Sequence, residues 1–214
     1  LWLINQPFEQ ALEAWNNAVG KKRLSLPFPR FAKQVHLDRL IQVSSESQPG
    51  NQGPGDAVST NERHLPVGVF TADCLPILIA GKEVVAAVHA GWKSTRLDIV
   101  GKTIAELSIQ TGLHPGDLDI FMGPCIGQCC LELGDEVPPT FFDTDISYSS
   151  CFSRGKKWHL DLRALNCFQA VRRGADPSRI RHVPDCTKCL TGTYFSYRGQ
   201  SGHQGSMFSF IMRL

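Results

Sequence analysis

No apolar run in this 214-residue chain approaches the ~20 residues that a helix needs to cross a bilayer, so no membrane partner is expected. Net charge is nearly absent: 22 basic residues against 20 acidic leave +2. There is no basic stripe, and no nucleic-acid partner is expected. The one basic cluster, Lys21-Lys22-Arg23, reads as a solvated helix end. Residues 1–10 lack the basic-then-apolar order of a signal peptide, and no initiating Met precedes them. Eight cysteines are too few for a disulfide scaffold. Without an export signal they are expected to be reduced thiols in a cytosolic protein. No fixed-period repeat and no interdomain linker is visible, so residues 1–214 are read as one domain.

What is present is an ordinary globular composition, 42% hydrophobic and 20% charged, enough to bury a core. Phe8, Leu12, Trp15 and Val19 recur at helical spacing over residues 7–20, and Gly20 ends the run. Residues 31–43 read as extended around Gln34-Val35-His36. Ser44 to Gly55 reads as a surface loop. Beyond Ala90-Gly91-Trp92 a helix is expected to bury Leu97, Val100, Ile104 and Leu107, with Thr95 and Asp98 as a capping box. A later helix starts at the N-cap Asp161, buries Leu162, Leu165, Phe168 and Val171, and stops at Gly174. Strands are expected at 118–122, 180–183, 193–197 and 207–212. Helices and strands do not alternate regularly, which favours α+β with mixed sheets over a doubly wound fold.

The richest stretch runs from Val67 to Ala90. Two apolar runs, 67–80 and 84–90, flank Gly81-Lys82-Glu83, a hairpin signal. With Gly81 and Lys82 as the turn residues, Ala80 faces Glu83 and Cys74 faces His89. Directly opposed side chains lie roughly 5 Å apart, close enough to share one metal. Pro76, which lacks an N–H, marks an edge or a bulge. One face carries Leu75, Ile77, Ile79, Val84, Ala86 and Val88, and the other Leu78 and Val85. A hairpin apolar on both faces packs between two layers.

A thiolate and an imidazole aimed at one point suit zinc. The same proximity suits a nucleophilic Cys–His dyad, or a buried Cys beside a hydrogen-bonded His. No HExxH motif and no paired CxxC decides among these. Cys186-Thr187-Lys188-Cys189 is a CxxC that could join Cys129-Cys130 in a structural zinc site, although free buried thiols are the simpler reading. Cys151 and Cys167 read as packing residues. Gly123-Pro124-Cys125-Ile126-Gly127 reads as a rigid turn, either a ligand cradle or a tight connection. The glycines of 199–205 lack the strand-to-helix context of a dinucleotide fold.

Several motifs together resemble the laccase-domain, YfiH-like family. They are Lys33-Gln34-Val35-His36, Gly55-Asp56-Ala57, Thr71-Ala72-Asp73-Cys74-Leu75-Pro76, Val88-His89-Ala90-Gly91-Trp92, Gly123-Pro124-Cys125-Ile126-Gly127, Asp161-Leu162, Cys186-Thr187 and Phe195-Ser196-Tyr197-Arg198. They occur in the family's order over residues 31–198. The resemblance implies mixed β-sheets in an α/β/β/α layered arrangement and a metal site of His36, Cys74 and His89. It also implies zinc as the metal, with copper as the alternative. The activity implied is purine nucleoside phosphorolysis, with adenosine deamination and methylthioadenosine phosphorolysis in some members. A peptidoglycan-editing amidase and a metal-binding module without turnover are the alternatives. Copper-oxidase chemistry fits less well, because seven scattered histidines do not supply the paired imidazoles of a multi-copper centre. The family's N-terminal Asn-Leu-Gly segment is not visible here. Leu37 stands where Gly usually follows the first His, and Ser94 where Gly often follows Trp-Lys.

The expected partners are thus a purine nucleoside and phosphate. His36, Cys74 and His89 would be catalytic as well as metal-binding, and Arg198 or Arg96 would hold phosphate through its forked guanidinium. Unfolding the protein without reductant is expected to expose eight titratable thiols. A lower count would reveal a native disulfide.

Overall fold

The hairpin sits at the centre of the molecule. In the computed structural model, which describes residues 3–6 and 27–214 apart from 201 and 203, β7 (Leu75–Ala80) pairs antiparallel with β8 (Val85–Ala90). To one side of the pair lies β9 (Asp119–Met122), followed by β13 (Ile180–His182). To the other lie β5 (Ala57–Thr60) and β3 (Leu40–Gln42). Together they form a six-stranded mixed sheet in the order β13-β9-β7-β8-β5-β3. A five-stranded sheet stacks on it in the order β1 (Leu3–Gln6), β14 (Ser206–Ile211), β6 (Val67–Thr71), β2 (Arg30–Lys33), β4 (Gly50–Pro54). A small sheet of β10 (Glu132–Leu133), β12 (Trp158–Leu160) and β11 (Phe152–Arg154) is a separate ladder whose Leu133, Phe152 and Leu160 join the core on one face of the hairpin.

Both faces of the hairpin are buried, as its two apolar faces require. Leu75, Ile77, Ile79, Ala86 and Val88 join a core with Ile99, Val100, Ile104 and Leu107 of α2 (Ile99–Thr111). Leu78, Val85 and Ala87 join a second core with Val67 and Val69 of the other sheet. The described layers are therefore helix, sheet, sheet, in an α+β fold. The helix expected over 7–20 lies outside the described residues. Among the described residues no helix is long and apolar enough to cross a membrane.

The register differs from the sequence expectation by two residues. Gly81 donates to the Val84 carbonyl at 2.8 Å, so Lys82 and Glu83 are the turn residues. Ala80 therefore faces Val85, and His89 faces Pro76 rather than Cys74. A shift of two conserves the face on which each side chain lies, so Cys74 and His89 still share one. Pro76 lies in a central strand, beyond the last β9 pair, Ile77–Met122, so its missing N–H breaks no rung of the β7–β9 ladder.

Other differences have local causes. The segment 44–55 is not all loop: β4 forms an edge, where Gly50 and Gly53 at positive φ and Pro54 are tolerated. The helix after Trp92 is two helices, α1 (Trp92–Arg96) and α2, because Asp98 sits at φ 59° between them. Thr95 is buried and accepts a hydrogen bond from Asn166 (2.9 Å) rather than capping a helix. The helix α4 (Leu162–Arg172) starts as expected, with the Asp161 carboxylate accepting the Ala164 N–H. Its buried face runs through Asn166 and Gln169, both bonded to Thr95, while Val171 is exposed. Residues 193–197 form turns, not a strand. The remaining α-helix among the described residues, α3 (Val137–Phe142), packs against residues 146–151.

Ile79→Ala removes a fully buried side chain from the central strand and is expected to cost roughly 2–5 kcal/mol by urea denaturation. Ile109→Ala, at a side chain 78% exposed on the same core's covering helix, should stay within roughly 0.5 kcal/mol. Equal losses at the two sites would contradict the layer assignment.

Candidate active site

Asp56 is wholly buried and organises the site. Its carboxylate accepts the successive backbone N–H groups of Val35 (3.2 Å), His36 (2.9 Å) and Leu37 (2.8 Å). Its Oδ1 also lies 2.8 Å from His89 Nδ1. Convergence of three consecutive N–H groups on one carboxylate holds His36 in the left-handed region, at φ 59°. A non-glycine residue held there needs such external support. The 34–39 segment, expected to be extended, is in fact a loop wrapped around this carboxylate.

The three predicted ligands come together. One ligand atom from each of His36, Cys74 and His89 lies within 4.8 Å of the others. Cys74 Sγ is 3.9 Å from His36 Nε2, and the two imidazoles meet edge to face with centroids 4.8 Å apart. The bond from His89 Nδ1 to Asp56 directs Nε2 toward the group, the carboxylate–histidine arrangement that supports metal ligands. Gly91 closes the site from behind. A Cβ there would lie 3.0 Å from both Cys74 Sγ and His36 Cδ2. Two imidazoles and a thiol, one imidazole braced by a carboxylate, fit a borderline-soft divalent metal.

The thiol of Cys74 and the imidazole of His89 favour each other's charged forms. Burial opposes charge on Cys74, but the His89 charge and the His36 and His89 hydrogen bonds outweigh it, and the thiol is lowered to about 6. Burial likewise opposes charge on His89, but Cys74 and Asp56 push it up to about 9. Asp56 is buried too, yet His89 and the N–H groups of Leu37 and His36 hold it below the usual carboxylate range.

A second carboxylate shapes the opposite wall. Asp73, at φ 94°, accepts from Thr187 Oγ1 (2.7 Å), Ser196 Oγ (2.6 Å) and the Arg198 N–H (2.8 Å). This draws the segment 187–198 over the site. The cavity between the walls is about 640 Å³, and its lining includes the triad, Phe31, Phe70, Lys93, Tyr197 and Arg198. Arg198 also donates to the Glu132 carbonyl at 2.6 Å. Arg96 does not share this cavity; it lines another, with Asp98, Lys102 and Arg173. Sequence reasoning placed Asp56 and Asp73 in motifs without giving them roles. Nothing in local spacing links Asp56 to residues 35–37 across 20 positions.

Residues 10–214 match the family model described as multi-copper polyphenol oxidoreductase laccase. The chain belongs to this family. It is 35% identical over 187 residues to a purine nucleoside phosphorylase of Clostridium acetobutylicum, covering 86% of this chain and 76% of that one. It is 32% identical over 163 residues to adenosine deaminase RL5 of an unknown prokaryotic organism, covering 74% of this chain and 62% of that one. Among solved structures, the hypothetical protein YfiH of Bacillus licheniformis superposes with a TM-score of 0.91 at 24% identity, covering 98% of this chain and 85% of that one, which supports the fold.

Asp56→Asn should weaken metal binding roughly 10- to 100-fold, measured by competition with a chromophoric chelator, because His89 loses the negative charge on its acceptor and the amide NH2 is set against backbone donors. In metal-free protein, alkylation of Cys74 should fall off only as the pH drops through about 6. The thiolate's contribution to stability is lost over the same fall, since its folded pKa is depressed. That of the His89 imidazolium is lost as the pH rises through about 9. An alkylation midpoint near 9 would show that no such pair forms.

Proposed function

We propose that this protein is a zinc-dependent purine nucleoside phosphorylase that also deaminates adenosine and phosphorolyses methylthioadenosine. The observation that carries the reading is the meeting of a two-imidazole, one-thiol centre with aromatic and cationic walls in one cavity. Its volume, about 640 Å³, falls in the range of small-molecule sites. His36, Cys74 and His89 would hold the zinc, leaving a position open as three-ligand catalytic sites do. When bound, the metal supplies Lewis acidity at the reacting end of the nucleoside.

The chain's own groups supply the rest. Phe31 and Phe70, packed edge to face at 5.1 Å, offer an apolar wall for a purine ring. Arg198 and Lys93 place positive charge along the same cavity, suited to phosphate beside the ribose. The backbone of Arg198 is pinned by Asp73, so its side chain starts from a fixed point. With Arg96 in a separate cavity, the phosphate role is assigned to Arg198. Asp56 keeps the His89 ring in one orientation throughout. The deaminase activity has its own support in the 32% identity to an adenosine deaminase.

Zinc-loaded protein offered inosine with phosphate should release hypoxanthine, and release should stop without phosphate. Ammonia from adenosine without phosphate would register deamination. His36→Ala, Cys74→Ala and His89→Ala should each nearly abolish turnover, with double variants little worse than singles. Arg198→Ala should raise the KM for phosphate more than that for nucleoside. Absence of both products from fully metal-loaded protein would overturn the proposal.

A further inference from the structure

A second group of potential ligands lies outside the site just described. Cys129 and Cys130 follow the turn at 123–128, while Cys186 and Cys189 follow β13. Separated by more than fifty residues in sequence, the four Sγ atoms lie within 4.8 Å of one another. Cys129 Sγ is 3.8 Å and Cys130 Sγ 3.5 Å from Cys189 Sγ. Zinc–sulfur bonds of about 2.3 Å in a tetrahedron set the sulfurs about 3.8 Å apart. A disulfide needs about 2.0 Å, and all eight cysteines are free.

The backbone around the sulfurs is arranged for thiolates. The Gly127 N–H donates to Cys186 Sγ at 3.2 Å. A Cβ on Gly127 would come within 3.2 Å of both Cys129 Sγ and Cys186 Cβ, so the approach needs glycine. The Thr187 N–H donates to the Cys125 carbonyl at 3.1 Å, and Cys125 and Cys186 form a β-bridge that holds the two segments side by side. The Cys130 N–H returns to the Gly127 carbonyl at 2.9 Å, turning the vicinal pair toward the CxxC.

We infer that Cys129, Cys130, Cys186 and Cys189 form a structural zinc site that staples the 123–130 turn to the 186–198 segment. Four protein thiolates leave no position for substrate, which makes the site structural rather than catalytic. Its effect reaches the cavity indirectly. The CxxC leads straight into the segment whose Thr187, Ser196 and Arg198 bond to Asp73, so the metal fixes one end of the cavity wall.

The test uses full-length Cys74→Ala protein, in which the other centre is disabled, purified under reducing conditions. It should retain one zinc per chain after dialysis against a weak chelator. Replacing that zinc with cobalt(II) should give intense tetrahedral d–d bands and sulfur-to-metal charge transfer in the near ultraviolet. Adding Cys186→Ser and Cys189→Ser should remove that equivalent. The cobalt spectrum keeps all four cysteines in place, so it decides the matter even if the serine variant does not fold. Loss of all zinc from the Cys74→Ala protein, or a cobalt spectrum without thiolate character, would overturn the inference. So would a Cys130–Cys189 disulfide found by peptide mapping of protein made in zinc-containing medium. None of these readouts depends on nucleoside turnover.

Discussion

The Asp56 carboxylate is the interaction on which the candidate site depends. A buried carboxylate without partners would be strongly unfavourable, and this one is compensated by three backbone donors and one imidazole. Because those donors belong to residues 35–37 and to His89, satisfying one charge fixes two of the three clustered side chains together. The 34–39 loop owes its shape to this carboxylate more than to its own propensity. Leu37, half exposed, contributes its N–H to this carboxylate.

Asp73 does for the opposite wall what Asp56 does for the ligands. Each carboxylate collects donors from distant segments, and each sits beside a site residue: Asp73 next to Cys74, Asp56 behind His89. The cavity is thus framed by two acids whose oxygens are engaged by donors from the protein itself. Its electrostatic character toward a ligand comes instead from Lys93, Arg198 and the triad.

Much of this was legible in the sequence because periodicity encodes burial. The two-faced apolar pattern of the hairpin predicted a middle layer, and Ile77 and Leu78 do face separate cores. The turn was misplaced because Gly81 was read as a turn residue, whereas it flanks the turn and donates to Val84. The side-chain alternation survived that slip, which is why Cys74 and His89 met regardless. What stayed illegible is non-local. The break at Asp98 gives no composition signal. Strand β4 is rich in residues that signal loops, and is a strand only because β2 lies beside it. The triad's third member, His36, has no local signature and was placed by resemblance. Asp56, twenty residues further on, gave no local clue to its tie with the His36 loop.

Strand β14 lies between β1 and β6, and its residues, 206–211, fall near the end of the sequence. On the ribosome, β7 and β8 can pair as soon as they emerge, since only a short turn separates them. The second sheet has to wait: β6 gains this neighbour only after about 135 further residues have been made, a long loop to close. Until then the apolar groups of β6 have the hairpin's inner face as a partner but lack one side of their own sheet. Translation and assembly are therefore out of step in this molecule, with strands β3, β5, β7, β8 and β9 able to pair well before β13 completes their sheet and β14 completes the one behind it.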